Sequence, residues 1–364
     1  MSSPSITSYT NRGIFQELLK DKFAKVAFFV LLFLYICILF ADFIAPYSKD
    51  FSDRKSAYAP PTVVYTIDEN GKFSKPYVYN YERQFNPETF RINYIQDRSK
   101  KYYLKLFTEG EPYKFLGIIP TDKHLFGVEK GGKIFLLGTD INGRDNFSRL
   151  LFGGRISLTI GFLALFISFP IGMIYGGVSG FFGGKIDNLM MRFSEAIMSI
   201  PSFYLLVILA YILPANMTSS QRFALIVAIL AFIGWAGFAR VVRGMVLSIK
   251  TQEFVQAAKS IGASNFRIIT MHILPQTMSY VIVAITLSVP SYILSESGLS
   301  FIGLGIQQPD ASWGNMLKEA QSFINIVERP WLLTPGFLIF VAVLAFNLIG
   351  DTIRDILDPK SKVR

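Results

Sequence analysis

The stretch nearest to a catalytic motif is GVEKGGKI, Gly127 to Ile134. A phosphate-binding loop reads G-x-x-x-x-G-K-[ST], with glycine-rich backbone around the phosphates and a hydroxyl on Mg²⁺. Ile134 stands where that hydroxyl is needed, and no strand–loop–helix context surrounds the stretch, so nucleotide chemistry is not expected here. No H-E-x-x-H, G-x-S-x-G or paired carboxylates fall within an apolar segment. The two histidines, His124 and His272, are far apart, and Cys37 is the one cysteine. That excludes an internal disulfide and a zinc site built from cysteine pairs. Glu195, in RFSEAIMSIP, is the one carboxylate placed near the inner end of an apolar run. It is read as paired with Arg192 three residues earlier rather than as a proton carrier. No catalytic and no metal-ligating residue is expected.

The elements behind this pattern are apolar. The chain has 364 residues, 51% hydrophobic and 17% charged, which is too little charge for a soluble surface of this length. Six runs near 24–45, 156–178, 189–213, 222–240, 277–295 and 334–350 approach the roughly 20 residues that cross a bilayer. An all-α polytopic membrane protein of about six helices is therefore predicted. The first run follows Lys20, Lys22 and Lys25 but no convincing cleavage site follows it, so it reads as a retained span. The net charge of +10 suits the positive-inside bias better than nucleic-acid binding. Basic residues precede span one, lie between spans two and three (Lys185, Arg192) and between four and five (Arg240, Arg243, Lys250, Lys259, Arg267), and follow span six (Arg354, Lys360, Lys362, Arg364). Six spans put all four regions on one side, the cytoplasm, together with both termini.

The organisation expected is a cytoplasmic N-terminus (1–23), a first span (24–45), an outer insert (46–138), a core bundle (139–350) and a cytoplasmic tail (351–364). The insert contains β-prone runs around Asn70-Gly71, a hairpin signal, and the aromatic run KKYYLKLF. It reads as a small β-rich subdomain, serving either as a docking surface or as a shield. Gly172, Gly176 and Gly180 share one helix face in span two and are read as packing.

The most polar long stretch after the insert is FVQAAKSIGASNFRIITMHILP, Phe254 to Pro275. It reads as two short helices within a cytoplasmic hairpin, 250–275. Gly262 suits the left-handed position after the first helix, and Ser264 or Asn265 caps the second. Pro275 is expected to limit the second helix. Ala257 and Ala258 offer a small, flat surface to a partner.

This hairpin resembles the EAA loop of ABC-importer permeases: E-A-A, three residues, Gly, nine residues, then I-x-L-P. Ala257, Ala258, Gly262, Leu274 and Pro275 match in register. Gln256 replaces the usual Glu, and His272 replaces Ile, as in the peptide-transporter branch. LGTDINGRDNFSRLLFGGRISL (137–158), SESGLSFIGLGIQQPDASWGNML (295–317) and GDTIRDILDPK (350–360) are similar to segments of oligopeptide and dipeptide permeases of the C-subunit type. The outer insert is the poorly matched part.

The resemblance implies a type I importer permease fold in the bacterial inner membrane. It implies one of two permease subunits, two ATP-binding subunits docked on the EAA hairpins, and an outside solute-binding protein that delivers a peptide. ATP and Mg would be held by the ATPase subunits, with no cofactor on this chain beyond membrane lipid contacts. ATPase coupling falls to Gln256, Ala257, Ala258, Gly262, His272, Leu274 and Pro275. Gly138, Thr139, Asp140, Gly143, Arg144 and Asp145 shape entry into span two, with Arg144 and Asp145 tying the outer loop together. Gly303 and Gly305, in outer loop 296–333, break a helix, as in a re-entrant or gating element. Nickel or another small solute remains a substrate alternative, and a membrane scaffold or sensor is the alternative of a different class. Gln256→Glu is expected to be tolerated.

Overall fold

The computed structural model describes residues 11–69, 71–88, 91–214 and 216–357. Asn70, at the predicted hairpin tip, and Lys360, Lys362 and Arg364 of the tail lie outside the described residues. The chain opens with α1 (Asn11–Leu18), α2 (Lys22–Leu39) and α3 (Ala41–Ile44). Four strands follow: β1 (Tyr65–Ile67), β2 (Phe73–Asn86), β3 (Arg91–Phe115) and β4 (Ile119–Val128). The remainder is helical: α4 (Asn146–Phe182), α5 (Gly184–Ser199), α6 (Ser202–Tyr211), α7 (Ser219–Ile249), α8 (Glu253–Ser260), α9 (Asn265–Arg267), α10 (Met278–Phe301), α11 (Trp313–Met316), α12 (Phe323–Glu328) and α13 (Thr334–Leu357).

Among the described residues, five helices are long and apolar enough to cross a membrane, and six if α5 and α6 form one span bent by 79°. The bend falls at Ile200-Pro201, where Pro removes a backbone donor and restricts the residue before it. Three boundaries differ from the sequence-based expectation. α4 begins at Asn146, ten residues before the apolar run, because its first turns carry arginines that find partners in the fold. Arg240 and Arg243 lie inside α7, and Lys185 and Arg192 inside α5, rather than in loops. Pro275 does not end the second hairpin helix. The backbone passes from a π turn (Ile268–Ile273) through a 3₁₀ turn (Leu274–Thr277) into α10. A change of winding accommodates the proline without stopping the helix.

The chain folds as two compact units. One is helical and holds 158–299 with the described residues up to 31 and from 341. Within it, α4 and α7 approach closely. A Cβ on Gly172 would lie 3.0 Å from Trp235 O, on Gly176 2.9 Å from Val242 Cβ, and on Gly180 2.8 Å from Arg243 O. The glycine face therefore serves close backbone approach, as its spacing suggested.

The other unit, 32–157 with 300–340, contains the β-rich insert. The strands form an antiparallel meander in the order β1-β2-β3-β4. Tyr77, Val78 and Tyr79 are buried, and Tyr65, Tyr77, Tyr79 and Tyr103 pack ring to ring across the strands. His124 is buried on β4, with Nδ1 2.7 Å from Ala45 O, so it serves this subdomain. β4 ends at Val128 in a turn rather than a phosphate loop, and Lys133 Nζ is held by Asp53.

Candidate functional site: a coupling hairpin and an ordered outer-loop cluster

The polar hairpin sits at the end of α7. Lys250 caps that helix, its N–H reaching Val246 O at 2.9 Å. Its Nζ donates to Gly180 O at 2.7 Å, which satisfies a carbonyl at the C-terminal end of α4 and places positive charge at the negative end of that helix. Its own carbonyl accepts from Gln256 Nε2 at 2.9 Å. Lys250 thus ties α4, α7 and α8 together. α8 ends in a Schellman motif: Gly262 N–H reaches Lys259 O and Ala263 N–H reaches Ala258 O. Gly262 has φ +82° and open space where a Cβ would stand, so the requirement is conformational. Ser264 Oγ accepts from Arg267 N–H and caps α9.

Two side-chain layers anchor this hairpin. Val255, Ala258, Ile268, Ile269, Ile273 and Leu274 are buried. A Cβ on Gly177 would lie 3.2 Å from Leu274 Cδ2 and 3.4 Å from Ile269 Cγ2, so α4 seats the second arm directly. Lys259 Nζ stands 5.1 Å above the Phe181 ring. The opposite face carries exposed Gln256, Ala257, Gly262 and Pro275, with His272 half-buried. The hairpin also exposes large apolar residues, Ile261, Phe266 and Met271 most of all and Phe254 to a lesser degree. Of the seven positions inferred from the EAA pattern, Ala258 and Leu274 face inward, and the others reach the surface at least in part.

An ion pair between buried Asp187 and half-buried Arg243 braces the helices that carry the hairpin. Arg243 Nε and Nη2 both donate to Asp187 at 2.5 Å, and Ser179 Oγ donates to Asp187 Oδ1 at 2.5 Å. The fork-to-carboxylate geometry is the stronger kind of charge-assisted contact. Glu195 pairs with Arg192 at 3.2 Å and with Arg240 at 3.7 Å, as its structural reading anticipated. The sequence alone does not bring Asp187, Ser179, Arg243 and Lys250 together, because the four stand far apart in the chain and none belongs to a recognisable motif. The available signal was a lone Asp close to a glycine-rich helix end.

In the second unit, residues 138–145 form an ordered turn at the head of α4. Asp140 Oδ1 accepts from the backbone N–H of Asn142 at 2.8 Å and of Arg144 at 3.0 Å. Its Oδ2 accepts from Arg144 Nε at 2.6 Å and lies 3.6 Å from Arg149 Nε. Asp145 caps α4, accepting from Ser148 N–H at 2.7 Å and Oγ at 2.6 Å. Thr139 Oγ1 accepts from Ala59 N–H and donates to Ser56 O. Gly138 and Gly143 hold positive φ, where Gly138 is pressed by Trp331 Nε1 and Ala59 O.

The loop after α10 closes on this turn. Arg144 Nη1 donates to Gln308 Oε1, Arg149 Nη1 donates to Pro309 O, and Glu319 Oε2 accepts from Ile141 N–H at 3.1 Å. Gly303 (φ +84°) turns the chain out of α10, and Gly305 lies against Ser300, whose Oγ accepts from Ile306 N–H at 3.0 Å. Burial pushes the Asp145 and Glu319 carboxyls up to about 7 each. Gln308, Arg149 and Glu319 were not singled out from sequence.

Comparison with known proteins settles the class. Residues 168–363 match the family described as binding-protein-dependent transport system inner membrane component, and that segment contains the whole hairpin. The chain belongs to this family. Residues 8–61 match the N-terminal TM domain of oligopeptide transport permease C. The permease is 45% identical over 225 residues to the dipeptide transport system permease protein DppC of Bacillus subtilis, covering 61% of this chain and 68% of that one. It is 45% identical over 226 residues to the oligopeptide transport system permease protein OppC of Haemophilus influenzae, covering 62% and 70%. Among solved structures it matches inward-facing conformations of the MetNI methionine ABC transporter with a TM-score of 0.41, at 18% identity over 56% of this chain and 92% of that one. The chain is thus an integral inner-membrane permease subunit of an ABC importer of the oligopeptide/dipeptide C-subunit type. The ATPase is a separate subunit.

Proposed function

We propose that this permease forms half of a peptide path and converts ATPase motion into alternating access through the 250–275 hairpin. One observation carries the reading: a hairpin locked to α4 and α7 on one face exposes Ile261, Phe266 and Met271 on the other. An element held that firmly moves with its helices, and an exposed apolar patch marks a protein contact. The partners are a second permease subunit, two ATP-binding subunits that hold ATP and Mg, and an extracytoplasmic solute-binding protein. The hairpin and both termini face the cytoplasm, and the strand insert faces outward, where it meets the delivery protein. Peptide is favoured as substrate because the relatives named above are dipeptide and oligopeptide permeases. Residues 138–145 and 303–319 hold the outer loop in register with the head of α4 and serve gating by position.

The test is co-purification of the ATPase subunits with the permease carrying Phe266→Asp and Met271→Asp. The expected result is loss of the ATPase subunits while the second permease subunit and membrane insertion are retained. ATPase subunits still bound at the parental ratio would refute the assignment.

A further inference from the structure

Helices α4, α7, α10 and α13 border a cavity of about 840 Å³ inside the helical unit, within the size range of small-molecule sites. Its wall is apolar and aromatic, through Phe238, Leu287 and Tyr292, yet it also presents Gln276, Ser279 and Tyr280. Arg354 borders it as well, and no lining residue is a carboxylate. Among the described residues, the side-chain polar atoms of Gln276, Ser279, Tyr280 and Arg354 have no hydrogen-bond or ion-pair partner. Ser279 and Tyr280 lie within α10, where hydrocarbon would leave their hydroxyls unsatisfied, so they require water or a polar solute in the cavity, while Gln276 and Arg354 are exposed at its hairpin end.

The cavity has a built end. Tyr292 Oη lies 3.0 Å from Ser168 Oγ, joining α10 to α4. Gly234 gives the tyrosine its room: a Cβ there would stand 2.9 Å from Tyr292 Cζ. Phe169, Phe238 and Tyr280 continue from this end as a ring ladder, with centroids 4.0 Å and 6.3 Å apart. At the other end Met245, Gln276 and Arg354 lie beside the termini of α7, α10 and α13, next in sequence to the hairpin or the tail.

From this geometry we propose that the cavity is this subunit's wall of the solute path, closed at Tyr292–Ser168 and leading toward the hairpin side. The wall suits a peptide with apolar side chains and a neutral or negative net charge: aromatic faces for the side chains, unpaired amide and hydroxyl groups for the backbone, and one guanidinium for a carboxylate. The inference rests on the permease reading above and adds the residues and the charge preference.

The experiment uses the assembled importer in vesicles, with Cys37→Ala as the background. Single cysteines are placed at Ser279→Cys and Leu287→Cys in the wall, and at Ile282→Cys, an exposed α10 position outside it. Their reaction with charged methanethiosulfonate reagents is timed. Thiolate formation needs water, so the wall cysteines should react about tenfold faster or more than the control. The negatively charged reagent should be favoured, a preference that Arg354→Gln removes. Wall cysteines that react no faster than Ile282→Cys would overturn the proposal, whether lipid or the second permease subunit covers them. So would a preference for the positive reagent. Uptake of a neutral tripeptide by the unmodified chain is measured in the same vesicles. Absent uptake refutes the peptide reading itself, whereas unreactive wall cysteines with intact uptake refute only the path.

Discussion

Gln256→Glu restores the residue common in related permeases, yet it should loosen this hairpin. Gln256 Nε2 donates to Lys250 O at 2.9 Å, and an ionised carboxylate cannot donate. The lost bond is worth about 0.5–1.5 kcal/mol. The new charge also lies against the C-terminal carbonyl of α7, which costs about 0.3–1 kcal/mol, and its position in the N-terminal half of α8 offsets a similar amount. The net is about 1 kcal/mol, or roughly a fivefold rise in the open hairpin population. Hydrogen exchange of the amides of Ile261, Gly262 and Ala263, which close α8, reads that population directly. At pH 7 exchange should be about fivefold faster than in the parent, with Gln256→Ala showing a rise of similar size, because the two charge terms cancel and the lost bond remains. Below the ordinary carboxyl range, at about pH 3, the introduced group is protonated, can donate, and the difference should close. Parental exchange at pH 7 would refute the reasoning. It would also reinstate the expectation from sequence that the substitution is tolerated.

Three further outcomes follow from the same contacts. Arg243→Ala removes both charge-assisted bonds to Asp187, leaving it Ser179 and the more distant charge of Lys250, and should cost about 1–2 kcal/mol, with Asp187→Ala in the same chain recovering part of it; thermal unfolding in detergent measures both. Gly176→Leu drives a side chain into Val242 and the α7 backbone and should cost about 1–3 kcal/mol or more by the same measurement, whereas Gly262→Asn should be nearly neutral, because Asn tolerates the left-handed conformation and nothing crowds that site. The Glu319 carboxyl, raised to about 7 chiefly by burial and then by Asp140, binds its proton more tightly folded than unfolded. Its contribution is therefore present at low pH and lost as pH rises through about 7. Glu319→Gln keeps an acceptor for Ile141 N–H and should flatten stability between pH 5 and 8, raising it at the alkaline end.

Much of this architecture was legible because it follows from local chemistry. Apolar runs located the spans, four-residue glycine spacing identified the α4 face that meets α7, and Gly262 with Ser264 set the hairpin's bend and restart. The remainder depended on distant partners. α4 extends upstream of its apolar run because Arg149 reaches Asp140 and Pro309 O, and Arg155 reaches Ile38 O and Asp42. Paired this way, those arginines are compatible with a helix that composition alone would have ended. Pro275 was read through its local effect, yet the turns around it changed winding and let α10 continue. The Lys250 node was invisible because its acceptors are carbonyls, which the sequence does not distinguish from one another.

Coupling between ATP hydrolysis elsewhere and transport through this chain is the central claim. The measurement that tests it is uptake of a labelled peptide into vesicles holding the assembled importer, in parallel with ATP hydrolysis, for the parent and for Phe266→Asp with Met271→Asp. Uptake by the parent should require ATP, and the variant should lose uptake while hydrogen exchange in α4 and α7 stays at the parental level. Uptake by the variant at the parental rate would contradict the hairpin as the transmission element.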